Sequence, residues 1–175
     1  MSTTRFARSS CIALILLAAV LVETPAAQER PAPVIEFAAG ALLFPDDGGT
    51  VPEGFGGGAA RFYLTPRVSV GPELSFVQGD NHDHFILTGN ITYDFVGPRN
   101  GRPARVTPFV VGGGGLFRTG EGFAAGDFSH TEGAFTAGAG VRARAGDRVT
   151  LGAEARIGWE LHVRVNGFVG VRLGR

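Results

Sequence analysis

The run Asp80-Asn81-His82-Asp83-His84 packs four ligand-type side chains into five positions, and His130 follows two apolar segments later. Imidazole and carboxylate suit zinc or copper, so Asp80, His82, Asp83, His84 and His130 are the candidate metal ligands. Adjacency alone gives poor coordination geometry, and a polar run between apolar segments is equally the mark of a solvated loop. Both readings stand, and no resident metal or cofactor is expected. Gly112 to Gly115 could cradle a phosphate, but no Walker lysine follows and no helix begins there, so these glycines read as relief of crowding in a strand. Cys11 is the single cysteine and falls in an apolar leader, which removes disulfides, thiol catalysis and cysteine-held zinc from the mature chain.

The more regular chemistry is ion pairing. From Glu132 to Arg172 every charged residue except Asp147 has an even number, while the other odd positions are apolar or glycine. All sixteen basic residues are arginine, the cation that grips a carboxylate in a planar fork. Glu132, Arg142, Arg144, Glu154, Arg156, Glu160, Arg164 and Arg172 therefore share one face, and Glu36, Arg61, Glu73 and Arg118 are expected on it too. Gly138, Gly140, Gly152, Gly158 and Gly170 are interleaved with the charges, a large-with-small pattern that suits a filled barrel interior and that a solvated surface would not need. Buried charges must be paired, so the expectation is an Arg–Glu lattice that plugs a lumen and leaves no wide diffusion pore.

A period of two across forty residues demands strands, since side chains alternate across a strand and not across a helix. Glycine and β-branched residues dominate, and no apolar stripe recurs at helical spacing. The expected strands are Val34–Phe44, Gly54–Leu64, Arg67–Val77, His84–Val96, Arg105–Arg118, His130–Ala145, Arg148–Trp159 and Val163–Leu173. Each approximates the roughly 9–11 residues needed to cross a bilayer at a tilt. The architecture is all-β: an eight-stranded antiparallel up-and-down transmembrane β-barrel following a cleaved signal peptide. Pro72 cannot donate to a ladder, so the third strand needs a bulge or a gap there. Connections one, three and five are expected to be long, with Thr119 to Ser129 the longest. Outward aromatics are expected at two rims, with Phe76, Phe85, Phe117, Phe135 and Trp159 at one and Phe37, Phe62, Tyr93, Phe95 and Phe109 at the other. A soluble periplasmic lipocalin-like barrel is the alternative and would bury the apolar face instead.

Residues 1–26 read as the signal peptide, with Arg5 and Arg8 ahead of an apolar run too short to span and a small-residue exit at Ala26. Residues 27–33 form a short lead-in and 34–175 the barrel domain. The mature chain then carries 14 arginines against 15 acids, a balance that argues against nucleic-acid binding.

With the leader, eight alternating segments, Pro108-Phe109-Val110-Val111-Gly112-Gly113-Gly114-Gly115 and the closing Gly167-Phe168-Val169-Gly170-Val171-Arg172-Leu173, the chain resembles the small outer-membrane β-barrel family of the OmpX and OmpA-domain type over residues 34 to 175. The resemblance implies residence in the outer membrane of a Gram-negative-type bacterium, as a monomer in contact with outer-membrane lipids and the insertion machinery. That machinery usually reads an outward terminal aromatic, whereas this chain ends Leu173-Gly174-Arg175 with Phe168 on the inward parity. The role implied is structural or surface interaction, with no ligand identified. Because some such barrels modify lipopolysaccharide acyl chains, a lipid-modifying enzyme is a further alternative. It would need a serine, a histidine and an acid within reach, and Ser129, His130 and His162 are the residues available.

Overall fold

In the computed structural model, which describes residues 30–46, 49–79, 82–97, 104–123, 126–159 and 162–174, the chain forms eight strands. They are β1 (Val34–Asp46), β2 (Gly49–Tyr63), β3 (Val68–Gln78), β4 (His82–Asp94), β5 (Val106–Phe123), β6 (Gly126–Arg144), β7 (Val149–Gly158) and β8 (Val163–Arg172). Each pairs antiparallel with its sequence neighbour, and β1 pairs β8 from Val34↔Arg172 to Leu43↔Val163, closing the barrel. Closure leaves the wall without a free edge strand, which is what a sheet facing hydrocarbon requires. The expected leader and residues 27–29 of the lead-in lie outside the described residues.

The alternation of residue types becomes an alternation of faces. In β8, Arg164, Asn166, Phe168 and Gly170 point inward and are buried, while Val163, Val165, Val169 and Val171 point outward and are exposed. Charge is inside and hydrocarbon outside: Phe37 is 62%, Ile157 57% and Phe76 56% exposed on the outer wall. A soluble lipocalin-like barrel would have the reverse arrangement. The outward rings form two girdles: Phe76 with Phe85 and Phe135 with Trp159 toward the end where β1–β2 and β5–β6 turn, Tyr93 with Phe95 toward the end of the termini. Such belts sit at the two membrane–water interfaces.

Three expectations are corrected. The parity of β5 is opposite to that of β4 and β6, so Thr107, Phe109, Val111 and Phe117 point inward and Arg118 outward. Phe109 and Phe117 are thus buried lumen residues, not girdle aromatics, and Arg118 lies outside the lattice. The shift enters through the connection at residues 95–105, which follows inward Asp94 and precedes inward Thr107. Connections one, three and five are also short, at residues 47–48, 79–81 and 124–125, and the fourth is the longest. The polar Gly- and Asp-rich segments expected to be loops are instead paired: Phe44↔Val51 and Asp46↔Gly49 extend the first hairpin, Thr119↔His130 and Phe123↔Gly126 the third. Their backbones find partners in each other beyond the membrane, where alternation is no longer enforced.

The gap expected at Pro72 is present. Between β2 and β3 the ladder runs to Ala59↔Glu73 and resumes at Phe62↔Val70 in the same register, leaving Ala60 and Arg61 unpaired opposite Gly71 and Pro72. Pro72 keeps its place opposite Gly89 on the β4 side.

Candidate functional site in the barrel lumen

At the centre of the lumen, two carboxylates and two guanidiniums alternate in a ring. Glu73 comes from β3, Glu154 and Arg156 from β7, and Arg164 from β8. Arg156 Nη1 lies 2.8 Å from Glu73 Oε2, and its Nη2 lies 2.8 Å from Glu154 Oε1. Arg164 closes the ring, with Nη1 on Glu73 Oε1 and Nη2 2.8 Å from Glu154 Oε1. Asn90 Nδ2 donates to Glu73 Oε2 at 2.8 Å, and Arg164 Nη1 donates to Ser75 Oγ. All four charged side chains are buried, so each ion needs its opposite to offset lost hydration.

A second network lies toward the termini. Arg61 Nη2 is 2.7 Å from Glu36 Oε1, and Arg61 Nη1 donates to the Tyr63 hydroxyl at 2.8 Å. That hydroxyl reaches Asp94, which accepts from Arg142 Nη1 at 2.8 Å. The Arg142 guanidinium also covers the Phe109 ring, 4.1 Å from its centroid, a cation–π contact that adds to the ion pair. Toward the hairpin end the lumen turns apolar: Leu42, Phe55, Val77, Ile86 and Phe117 form a buried cluster. His84 stacks on it between Phe44 and Phe117, with ring centroids 5.6 and 5.0 Å away.

Inward glycines make this filling possible. A Cβ on Gly140 would come within 2.5 Å of Phe109 Cζ, and one on Gly152 would collide with the Phe168 ring. Two voids between the charged layers, one lined by Glu36, Arg61 and Arg142 and one by Glu154 and Arg164, are about 20 Å³ each. That is room for a single water and not for a solute path.

Of the expected lattice, Glu36, Arg61, Glu73, Arg142, Glu154, Arg156 and Arg164 meet in these two networks. Arg144 and Arg172 point inward but are half-buried at the terminal mouth. Glu132 pairs with His130 Nε2 at 2.8 Å and accepts from Trp159 Nε1 at 2.7 Å, so it belongs to the rim and not to an arginine. Glu160 lies outside the described residues, and Arg118 is outward as stated above. Asp94 and Tyr63 join the network without having been expected as lattice members.

The metal candidates are not brought together. Asp80 lies outside the described residues, as does the side chain of His82. Asp83 and His84 are consecutive in β4 and so point to opposite faces, Asp83 exposed and His84 buried. His84 Nδ1 is 3.1 Å from Thr119 Oγ1 and its Nε2 3.6 Å from Glu53 Oε2, while His130 is exposed beside Glu132. Among the described residues no three His, Cys, Asp or Glu side chains converge as a metal site. Ser129 and His130, adjacent on one strand, likewise diverge, and His162 Nδ1 donates to the Trp159 carbonyl at 2.6 Å at a different tip. Burial holds the His162 imidazole below its ordinary pKa.

The fold recurs among solved structures. The chain is similar to Neisserial surface protein A, with a TM-score of 0.69 at 13% identity over 83% of this chain and all of that one. It is similar to the N-terminal β-barrel domain of Pseudomonas aeruginosa OprF, with a TM-score of 0.61 at 14% identity over 80% and 97% of the two chains. It is also similar to Ail, the attachment invasion locus protein of Yersinia pestis, with a TM-score of 0.56 at 10% identity over 82% and 98%. Among curated proteins none matches by sequence. The model of the outer membrane protein beta-barrel domain matches residues 12–171, nearly the whole chain. With its inside-out barrel, two aromatic girdles and this match, the chain belongs to the outer membrane protein β-barrel domain family, and its place is the outer membrane of a Gram-negative-type bacterium.

Proposed function

We propose that the protein is a closed, monomeric outer-membrane scaffold, without catalysis or solute conduction, that presents its longest hairpin to the outside. The observation that carries this reading is the combination of a filled lumen with an overshooting β5–β6 hairpin. β5 has 18 residues and β6 has 19. Crossing takes roughly 9–11, so about eight residues per strand remain, and at roughly 3.3 Å each they carry the tip on the order of 25 Å past the girdle. Both termini lie at the opposite mouth, away from the overshooting strands, and in outer-membrane barrels the longer projections are extracellular. A rigid platform carrying a projecting hairpin suits surface contact better than transport. The surface protein and the attachment protein named above share this architecture.

A protease site inserted between residues 123 and 126 tests the orientation. Cleavage on intact cells is expected; cleavage only after the outer membrane is permeabilised would overturn it. In planar bilayers, small irregular conductance at most is expected, and a large stable single-channel step would refute the closed lumen.

A further inference from the structure

At the mouth where both termini leave the barrel, six arginines line one cavity of about 210 Å³: Arg30, Arg61, Arg142, Arg144, Arg148 and Arg172. Asp94 is the acid in that lining. Arg61 and Arg142, at the floor, are engaged by Glu36 and Asp94. Arg30, Arg144, Arg148 and Arg172 have no carboxylate within 4.0 Å among the described residues. Among the described residues six arginines thus meet two acids, Asp94 in the lining and Glu36 on Arg61, in a barrel whose deeper ring is balanced two to two.

The backbone holds these cations together. The Arg172 amide donates to the Arg148 carbonyl at 2.8 Å, and the Arg144 amide to the Arg105 carbonyl at 2.9 Å. Arg144 is paired opposite Thr150, and Thr150 opposite Gly170, so Arg144 and Arg172 approach the cavity from either side of β7. Both point inward and are half-buried, so solvent screens their mutual repulsion less than on an open surface. A concave wall of low dielectric focuses such a field on its centre. Guanidinium forks match paired oxygens. A carboxylate offers two oxygens and one charge, and a tetrahedral oxoanion offers more of both to the four forks that no described carboxylate engages.

We propose that this mouth binds a phosphate-type oxoanion, free or at the head of a lipid. The binding chemistry does not depend on which side of the membrane the mouth faces, so its test is separate from that of the orientation above. The mature chain, folded in a non-ionic detergent free of phosphate, is titrated calorimetrically with inorganic phosphate and with sodium chloride at equal ionic strength. Saturable binding of phosphate and none of chloride is expected. R144Q/R172Q should weaken it about tenfold, a conservative figure for two half-exposed charge-assisted contacts. Heat-dependent gel mobility confirms that the variant is folded. Should the double variant not fold, R148Q, on an exposed turn, is expected to weaken binding about threefold by the same reasoning. Phosphate heats no larger than those of chloride, or affinity unchanged in the folded variants, would overturn the site. Repeating the titration in vesicles assigns the source. Phosphate binding that persists beside phosphatidylglycerol marks a free anion, and binding that phosphatidylglycerol abolishes in an arginine-dependent manner marks a headgroup.

Discussion

Truncating Arg156 is the sharpest test of the charged ring. Its guanidinium bridges Glu73 and Glu154 at 2.8 Å each, and all three side chains are buried. Arg156→Ala leaves two carboxylates to share Arg164, so one negative charge is uncompensated in the lumen. Breaking a buried pair costs on the order of 3–5 kcal/mol, and because Arg164 still touches both acids the lower half of that range is expected. Adding Glu154→Gln to Arg156→Ala removes the stranded charge, and at least half of the loss should return. Two changes on the neighbouring outward face serve as controls. Ala155→Leu adds hydrocarbon toward lipid and should be tolerated, whereas Ala153→Arg faces lipid in mid-strand and should cost roughly 2–4 kcal/mol. Trp159 is the single tryptophan and sits in the hairpin-end girdle, so its fluorescence follows urea unfolding from lipid vesicles without labelling. A neutral Arg156→Ala together with a damaging Ala155→Leu would mean that the apolar face is the packed one, and the inside-out assignment would fail.

Overpacking the lumen gives a second outcome: Gly152→Leu drives a side chain into the Phe168 ring and should cost about 1–3 kcal/mol in the same assay. Phe168→Ala in the same chain should recover part of it. The third concerns pH. Burial keeps His162 neutral in the folded state, below its ordinary value of 6.5, so the unfolded chain takes up the proton first. The His162 contribution is therefore intact above that value and declines as pH falls through it toward the folded pKa, and His162→Gln should flatten this part of the stability profile.

From residue 132 onward the wall was legible in the sequence because one rule governs every strand: a charge facing lipid is costly, so charges share a parity. β5 escaped that rule. Val110, Gly112, Gly114 and Leu116 outside and Phe109, Val111, Gly113 and Phe117 inside are alike in type, so nothing marks which face is which. Arg118, lying where the wall meets water, carries no obligation to point inward. The hairpin lengths were hidden for a related reason. Above the membrane both faces of a ribbon are wet, and Pro45, Asp46, Gly49 and Thr50 pair as strand while reading as turn. The ring itself was partly legible: parity gave its members, but which arginine meets which acid depends on barrel closure, so that Arg142 meets Asp94 while Glu132 sits at the rim beside His130.

The central ring also constrains the order of assembly. Glu73 and Arg164 stand 91 residues apart, on strands that are not neighbours in the wall. A β7–β8 hairpin entering the bilayer by itself would carry Arg156 and Arg164 against one acid, Glu154, with that face open to hydrocarbon at roughly 2–4 kcal/mol per arginine. β3 alone would bring Glu73 across with no cation. Stepwise insertion of hairpins therefore climbs in energy until the last seam shuts, and closure beforehand avoids the climb. The charges that fix the finished lumen thus favour closing the wall before it crosses.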